Sequence, residues 1–482
     1  MPSLALRSMA GGVAIAAILA ACAVGPNYRR PDMPVDAHFA NAGEPGLAPG
    51  DTVERYWTGF ADPLLDNLVE DALARNKDLE VAAANLRAAR AVRRVVGFDQ
   101  YPTVTLAGGY THSLDAQQQL PGVDRHDREF DTAQGSFDGL WELDLFGRVR
   151  RNVEAARADV GASEATLRDA RVSVIAEVAR NYFILRGLQD QLVLTERNAG
   201  NQLSTAKLTR TRLDAGRGNE LDTARAEAQW QTTLASIPTL QASIATTTYR
   251  LSVLTGRQPK ALDERLTPQA PMPALPVLNA IGTPEQLLRH RPDVRVAERR
   301  LAAATARVGV AMGDLFPKVT MVGEVGYWAP TFGDFGQSEA RFFSVGPSIS
   351  WAAFDLSRVS ARISSAKAQT DAALAGYEGA VLNALEDAEG AMIVYGRSQS
   401  RREALRVAAA ASDKAADLAH KRFEGGLIDF LEVLDAERTA LSAELLLSQS
   451  RTDAAVSLVA VYKALGAGWA VAESNGAAAA RR

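Results

Sequence analysis

The sequence predicts a membrane-inserted α+β protein, duplicated within one chain, in which long helical hairpins are joined to a small share of a β-barrel. Three observations predict it. The stretch RLDAGRGNELDTARAE (Arg212–Glu227) returns in the second half as RFEGGLIDFLEVLDAE (Arg422–Glu437), keeping Arg212/Arg422, Gly216/Gly426, Leu221/Leu431, Ala226/Ala436 and Glu227/Glu437 in step. Each copy lies between two long alanine-rich, proline-poor segments, and glycine takes the left-handed conformation of an abrupt helix end without steric cost. Upstream of each hairpin, two short segments alternate apolar and polar residues with the period of two that a half-covered strand requires. The chain therefore reads as two half-proteins rather than an array of short repeats.

Composition narrows the class. With 482 residues, 47% hydrophobic and 23% charged, the chain has ample material for folded structure and no bias towards disorder. A net charge of −4 and a pI near 5.9 leave no basic stripe for nucleic acid. The single cysteine, Cys22, excludes an internal disulfide and a cysteine metal cluster. The five histidines are scattered. HExxH, GxxxxGK[ST], GxSxG and the dinucleotide glycine fingerprint are all absent. No enzyme activity, metal or cofactor is expected.

In chain order, residues 1–21 read as a secretory signal: Arg7, then the apolar run Met9–Ala21, too short to span a bilayer, with small residues at its end. The run Leu19-Ala20-Ala21-Cys22 has the form of a bacterial lipobox, making Cys22 a lipid-attachment site. The plainer alternative is an ordinary signal cleaved nearby with Cys22 free. Residues 22–62 begin with a Pro- and Gly-rich stretch that should run extended. The first repeat, 63–256, opens with a helix at Pro63 whose apolar face is Leu64, Leu65, Leu68, Val69 and Leu73. A second helix, Asp78–Val96, has its counterpart in Asp293–Ala311 of the second repeat, 284–468, with Leu86/Leu301 and Ala88/Ala303 matching.

Each of these helices ends in an X-Pro step, Pro102 or Pro317, and the period then changes. Strands are expected at about 102–113 and 130–144, and again at about 317–328 and 341–354. Ala133, Gly135, Phe137, Gly139, Trp141 and Leu143 alternate with Gln134, Ser136, Asp138, Glu142 and Asp144. Val319, Met321, Val325 and Tyr327 form a second apolar set, and Phe343, Val345, Pro347, Ile349 and Trp351 a third. Such pairs also suit half of a soluble sandwich. Their length, near the roughly 9–11 residues of a tilted spanning strand, and the aromatic residues at their ends favour a membrane barrel. Four strands cannot close one, and lipid tolerates no open edge. Two copies sharing a barrel would supply eight strands and three would supply twelve.

The long hairpins are expected at 148–256, with its tip near 216, and at 358–466, with its tip near 426. Val153, Ala156, Val160, Leu167, Ala170 and Val174 keep a 3-4 spacing, as do Val359, Ile363, Ala366, Thr370, Ala373, Tyr377, Ala380 and Ala384. This is a coiled-coil seam with small knobs. Arg148 to Leu213 would extend roughly 100 Å as one helix, and Arg150, Glu154, Arg157 and Asp159 exclude a membrane span. Pro238 should kink or break the first returning helix, where the second carries Ser448. Residues 257–283 form a proline-rich connector expected to wrap the helical body, and 469–482 read as an unstructured tail.

Taken together, CAVGPNYRRP (Cys22–Pro31), WTGFADPLLDNLV, WELDLFGR (Trp141–Arg148), LRHRPDVRVAERRL (Leu288–Leu301) and LFPKVT resemble the outer-membrane factors of the OprM/NodT type, related to TolC. The resemblance implies a homotrimeric TolC-like channel in the cell outer membrane. Its twelve shared strands form a barrel, and its helical hairpins form a periplasmic α-barrel. It implies docking on a periplasmic adaptor (membrane fusion) protein and on an inner-membrane transporter, most often of the resistance-nodulation-division class, with this chain as passive exit duct. Ala23 after the cysteine is similar to the pattern of lipoproteins exported to outer-membrane lipid. Two other readings stay open: a channel for type I protein secretion, and a periplasm-spanning structural lipoprotein without a pore.

The resemblance also implies sites. Acidic residues just inside the second tip form the narrowest ring of TolC-like channels, and the matching positions are Glu432 and Asp435, one turn apart on one face. Asp222 and Arg225 match them in the first copy. A charge ring repeated by symmetry favours cations, although charges near a tip also serve simply to solvate a helix. If Arg225 reaches Asp222 or Asp435 across helices, it would latch the closed state. The tip residues Arg212, Gly216, Arg422, Gly425, Gly426 and Leu427 are the expected adaptor-docking surface, though turn chemistry alone also requires the glycines.

Overall fold

The computed structural model describes residues 23–48, 50, 54–276 and 281–469. The signal segment, the lipidation candidate Cys22 and the tail beyond Trp469 lie outside them. Helices α1 (Pro63–Arg75) and α2 (Lys77–Phe98) lead to strands β1 (Thr103–Leu114) and β2 (Glu129–Leu143), then to helices α3 (Arg148–Asp214) and α4 (Glu220–Leu254). After a single-turn helix α5 (Asp263–Leu266), the order repeats: α6 (Pro284–His290), α7 (Pro292–Gly313), β3 (Lys318–Ala329), β4 (Arg341–Ser350), α8 (Leu356–Glu424) and α9 (Phe430–Ala464). Helices α3 and α8 run 67 and 69 residues against 35 each for α4 and α9, so the returning arm of each hairpin is about half the outgoing one.

The chain forms two compact units, and each draws on both sequence repeats. One gathers Asn85–Glu164 and Val296–Glu378 with the N-terminal segment up to Asp32; the other gathers Met33–Ala84, Ala165–Arg295 and the chain from Gly379 onward.

In the first unit the strands form one antiparallel sheet, in the order β1-β2-β3-β4, so the two repeats join at β2–β3. The register decides which residues share a face. Leu106 pairs with Phe137, Phe137 with Val325, and Val325 with Phe343. Side chains alternate faces along a strand. The apolar sets of all four strands therefore lie on one side, with Thr105, Asp138, Glu324 and Ser344 on the other. Much of that apolar side is uncovered, with Leu106, Phe137 and Phe343 73%, 56% and 77% exposed, while Phe335 from the β3–β4 loop packs on Tyr327 and Gly135 at one end. Strands β1 and β4 also leave their outer edges unpaired within the sheet. β4 ends at Ser350, short of the expected 354, and the next residue, Trp351, donates its indole N–H to Leu315 O (3.0 Å). Trp141 makes the equivalent bond to Gln100 O (3.1 Å). An aromatic body on the apolar side with its polar tip bonded suits a membrane interface. Among the described residues no helix is long and apolar enough to cross a membrane.

The N-terminal segment is tied into the same unit. Val24 N–H donates to Phe146 O (3.0 Å), and the Arg151 guanidinium donates to Val24 O, Gly25 O and Asn27 Oδ1 at 3.1, 3.1 and 2.7 Å. Tyr28 donates to Glu298 (3.1 Å) with the Arg299 guanidinium over its ring.

The second unit holds the main core. Trp57, Leu65, Leu68 and Val69 bury completely against Ile175, Tyr182, Phe183 and Leu458. Helix α1 starts where the sequence indicates because Asp62 accepts from Leu64 N–H and Leu65 N–H (2.9 and 3.2 Å) while Pro63 fills the first helical position. In the connector Leu262 and Leu266 are fully buried, and Gln189 donates to Leu266 O (2.7 Å). Pro238, expected to kink or break the returning helix, lies inside α4, which is continuous through it. The α8 seam positions from Val359 to Ala384 are each buried or half-buried between mostly exposed neighbours, whereas α3 is covered on more than one face.

Candidate functional site

The expected site residues lie at the two hairpin tips, both in the second unit. Each outgoing helix stops through the same pair of bonds. Gly216 N–H donates to Leu213 O and Arg217 N–H to Arg212 O (2.9 and 2.8 Å); Gly426 N–H donates to Phe423 O and Leu427 N–H to Arg422 O (3.0 and 2.9 Å). This is the Schellman closure, which needs a left-handed residue at its hinge. Gly216 and Gly426 supply it with φ of +67° and +74°.

The returning helices begin differently. Asn219 caps α4 by accepting from Asp222 N–H (2.8 Å), and its amide donates to Asp222 Oδ2 (2.8 Å). Asp429 begins α9 without a side-chain cap bond. An apolar cluster of Ala206, Ala226, Phe423, Phe430, Val433 and Leu434 joins the two tips.

The expected site residues separate into two groups. Glu432 and Asp435 are exposed on one side of α9, while Val433 and Leu434 between them are buried. Both carboxylates line a groove with Ser412, Leu418, Ile428 and Leu431. Among the described residues neither carboxylate has a hydrogen-bond or ion-pair partner. Arg225 reaches Asp222 at 3.9 Å, an ion pair three positions apart on its own helix. Arg212 makes the cross-tip contact instead. Its guanidinium donates to Phe423 O (3.1 Å) and sits 4.1 Å from the Phe423 ring centroid. Arg422, Gly425, Gly426 and Leu427 are exposed, Leu427 by 71%.

A second cross-helix contact lies a turn further in, and sequence reasoning missed it. His420 Nε2 meets Glu437 Oε1 at 2.7 Å, and Thr205 Oγ1 donates to the same oxygen at 3.0 Å, joining α8, α9 and α3. The Glu437 side chain is 10% exposed, and its hydrogen bond raises the His420 pKa above the ordinary histidine value against the opposing effect of burial. Further up the same helices, Arg197 pairs with Glu444 at 2.6 Å. The signal that pointed here was the retained Glu227/Glu437 match of the two tip motifs. Arg291, of the LRHRPDVR motif, proves structural: it pairs with Asp293 and Asp387 (2.6 and 2.9 Å) and donates to Ala464 O (3.0 Å) at the end of α9.

A sheet with one apolar and one polar face, and hairpins that end in paired glycine turns beside exposed carboxylates, together describe part of a channel wall. Comparison with known proteins agrees. The family model "Outer membrane efflux protein" matches residues 68–257 and 283–467. The chain is 30% identical over 456 residues to Nodulation protein T of Rhizobium leguminosarum bv. trifolii, covering 94% of this chain and 96% of that protein. It is 31% identical over 475 residues to outer membrane protein OprJ of Pseudomonas aeruginosa, covering 96% and 97%. The solved structure of the outer-membrane channel OprN superposes with a TM-score of 0.88 at 44% identity, covering 93% of this chain and all of that one. The fold is that of the trimeric TolC-like channels, in which three copies of the four-stranded sheet close one barrel. The chain belongs to the outer membrane efflux protein family, and it is an outer-membrane exit duct for efflux.

Proposed function

We propose that the chain is the passive, gated duct of a tripartite pump of the resistance-nodulation-division type, exporting drugs or other small molecules delivered from the inner membrane. The observation that carries this reading is the second tip, where two unpaired carboxylates project from the first turns of α9. Repeated in a trimer, Glu432 and Asp435 form a charge ring at the periplasmic end, the kind of constriction that favours cations and excludes anions. Asp222 and Arg225 belong to the same level of the first tip, where their mutual contact lowers the net charge.

The exposed turn Arg422–Leu427, together with Gly216, serves as the docking surface for a periplasmic adaptor, and Leu427 offers it an apolar anchor. Arg212 contributes by holding the two tips together. Cys22 is the lipid anchor. Ala23, its neighbour, precedes the Val24–Phe146 bond at the junction of β2 and α3.

Deletion of the gene tests the function. The account predicts intracellular accumulation of a fluorescent efflux dye, restored by the wild-type chain, and mass spectrometry of the N-terminal peptide should show acylated Cys22. Unchanged accumulation when other exit ducts are absent would contradict the efflux role.

A further inference from the structure

The His420–Glu437–Thr205 contact joins three helices next to the turn that bears the carboxylates. Glu437 follows Asp435 on α9 by two positions, so whatever holds Glu437 fixes the rotation and height of that turn. We infer that His420, Glu437 and Thr205 form a proton-dependent clasp that positions the Glu432–Asp435 turn, making the closed tip firmer in mild acid than in mild alkali. The inference rests on the gate reading above.

The geometry supports each step. Glu437 Oε1 receives both the imidazole (2.7 Å) and the Thr205 hydroxyl (3.0 Å), so a protonated His420 gives a charge-assisted bond where neutral imidazole gives an ordinary one. Charged groups face this contact from all three helices. On α8, Asp413, Asp417 and Glu424 are near His420, Asp417 being paired with Lys421 (2.5 Å). On α9 stand Glu437 and Glu444, and on α3 Arg197, which is committed to Glu444. The surplus of carboxylates favours the imidazolium, in line with the raised His420 pKa. Because that pKa is raised in the clasped state, the ion pair is complete below about 6.5, the unfolded value. It is lost as pH rises through the higher clasped value. His420 is a histidine, whose ordinary pKa lies inside the tested pH range, and its pKa is raised by the Glu437 hydrogen bond.

The test uses the purified trimer in planar bilayers between pH 5.5 and 8.5. Open-state occupancy should rise with pH, by about fivefold per clasp if a charge-assisted bond becomes a neutral one. In His420→Gln the pH profile should be flat while trimer assembly is unchanged. His112, which meets Asp131 and Glu129 at the far end of the sheet, is the control: H112Q should keep the wild-type profile. A second readout does not depend on where the duct is narrowest. Nitroxide labels on Leu427→Cys, in a Cys22→Ser background, should move apart between protomers as pH rises, and should not do so with H420Q. If Glu432→Gln and Asp435→Asn leave conductance unaltered, the gate reading fails while the label distances still score the clasp. A wild-type pH profile or label response in H420Q, or a flat one in H112Q alone, would overturn the inference.

Discussion

Arg212→Ala is the perturbation whose consequence can be worked most fully from the structure. The half-buried guanidinium donates to Phe423 O at 3.1 Å and stacks 4.1 Å from the same residue's ring centroid, joining the end of α3 to the end of α8. A hydrogen bond from a charged donor contributes about 1.5–3 kcal/mol, and a cation–π contact about 0.5–2 kcal/mol. The two share one partner and do not add fully, so about 2–3 kcal/mol of cross-tip attachment is lost per protomer. At 1.4 kcal/mol per tenfold, that raises the ratio of separated to joined tips by roughly 30- to 150-fold. Arg212→Lys keeps the charge but loses the planar fork and its stacking, and should fall between the two. The assay is single-channel recording of purified protein without adaptor, which separates tip closure from docking. R212A should show longer and larger openings than wild type. Openings of wild-type size and duration in R212A would refute the reasoning.

Other residues give independent outcomes. Arg291→Ala removes the partner of Asp293 and the donor to the α9 terminus; the Asp293 side chain is 35% exposed, so solvent screens the carboxylate left behind, and the loss is that of hydrogen bonds from a charged donor, about 1.5–3 kcal/mol; the thermal unfolding midpoint should drop. Burial opposes the charged form of Asp293, but Arg291 outweighs it and holds the carboxyl below its usual range. The stability from this pair is therefore present above about pH 4 and is lost only as pH falls through the lowered value; a wild-type midpoint that already declines between pH 7 and 5 in step with Asp293 would contradict this. Asp138 and Glu324 sit directly opposite one another on the polar face of the sheet, where like charges cost about 0.2–1 kcal/mol. Asp138→Asn should raise the dissociation temperature of the trimer and weaken cation preference, and a lower temperature would count against the register. Trp141→Phe should destabilise insertion by losing its bond to Gln100 O, seen as a smaller heat-resistant trimer fraction on gels.

Much of the sheet was legible in the sequence because a period of two fixes which residues share a face whatever the partner strand. Ala133 to Leu143 and Val319 to Tyr327 needed only an in-phase register to become one continuous apolar surface. The α8 seam was legible for the same reason: Val359, Ile363, Ala366 and their successors repeat on one stripe. What periodicity cannot encode is the partner across a long loop. Arg212 looked like a surface tip residue because nothing local announces Phe423. Arg225 looked like a cross-helix latch because its spacing from Asp222 suits an ion pair on one helix as well as one between helices. His420 and Glu437 share no helix, so their contact depends on how α8 and α9 are rotated. Pro238 lacks an N–H to donate, yet α4 runs on through it, since losing one bond within a long helix costs less than unfolding the arm. The burial of the connector's Leu262 and Leu266 was not legible, because a single turn is too short to show a period.

In the proposed function the trimer is a duct whose narrowest level is the Glu432–Asp435 turn. Single-channel conductance and reversal potential under a salt gradient test it most directly, comparing wild type with the E432Q/D435N double variant. The account predicts small, cation-selective steps from the wild-type trimer, and larger steps with much weaker cation selectivity from the double variant. A trimer that does not conduct, or a double variant with the wild-type reversal potential, would contradict it.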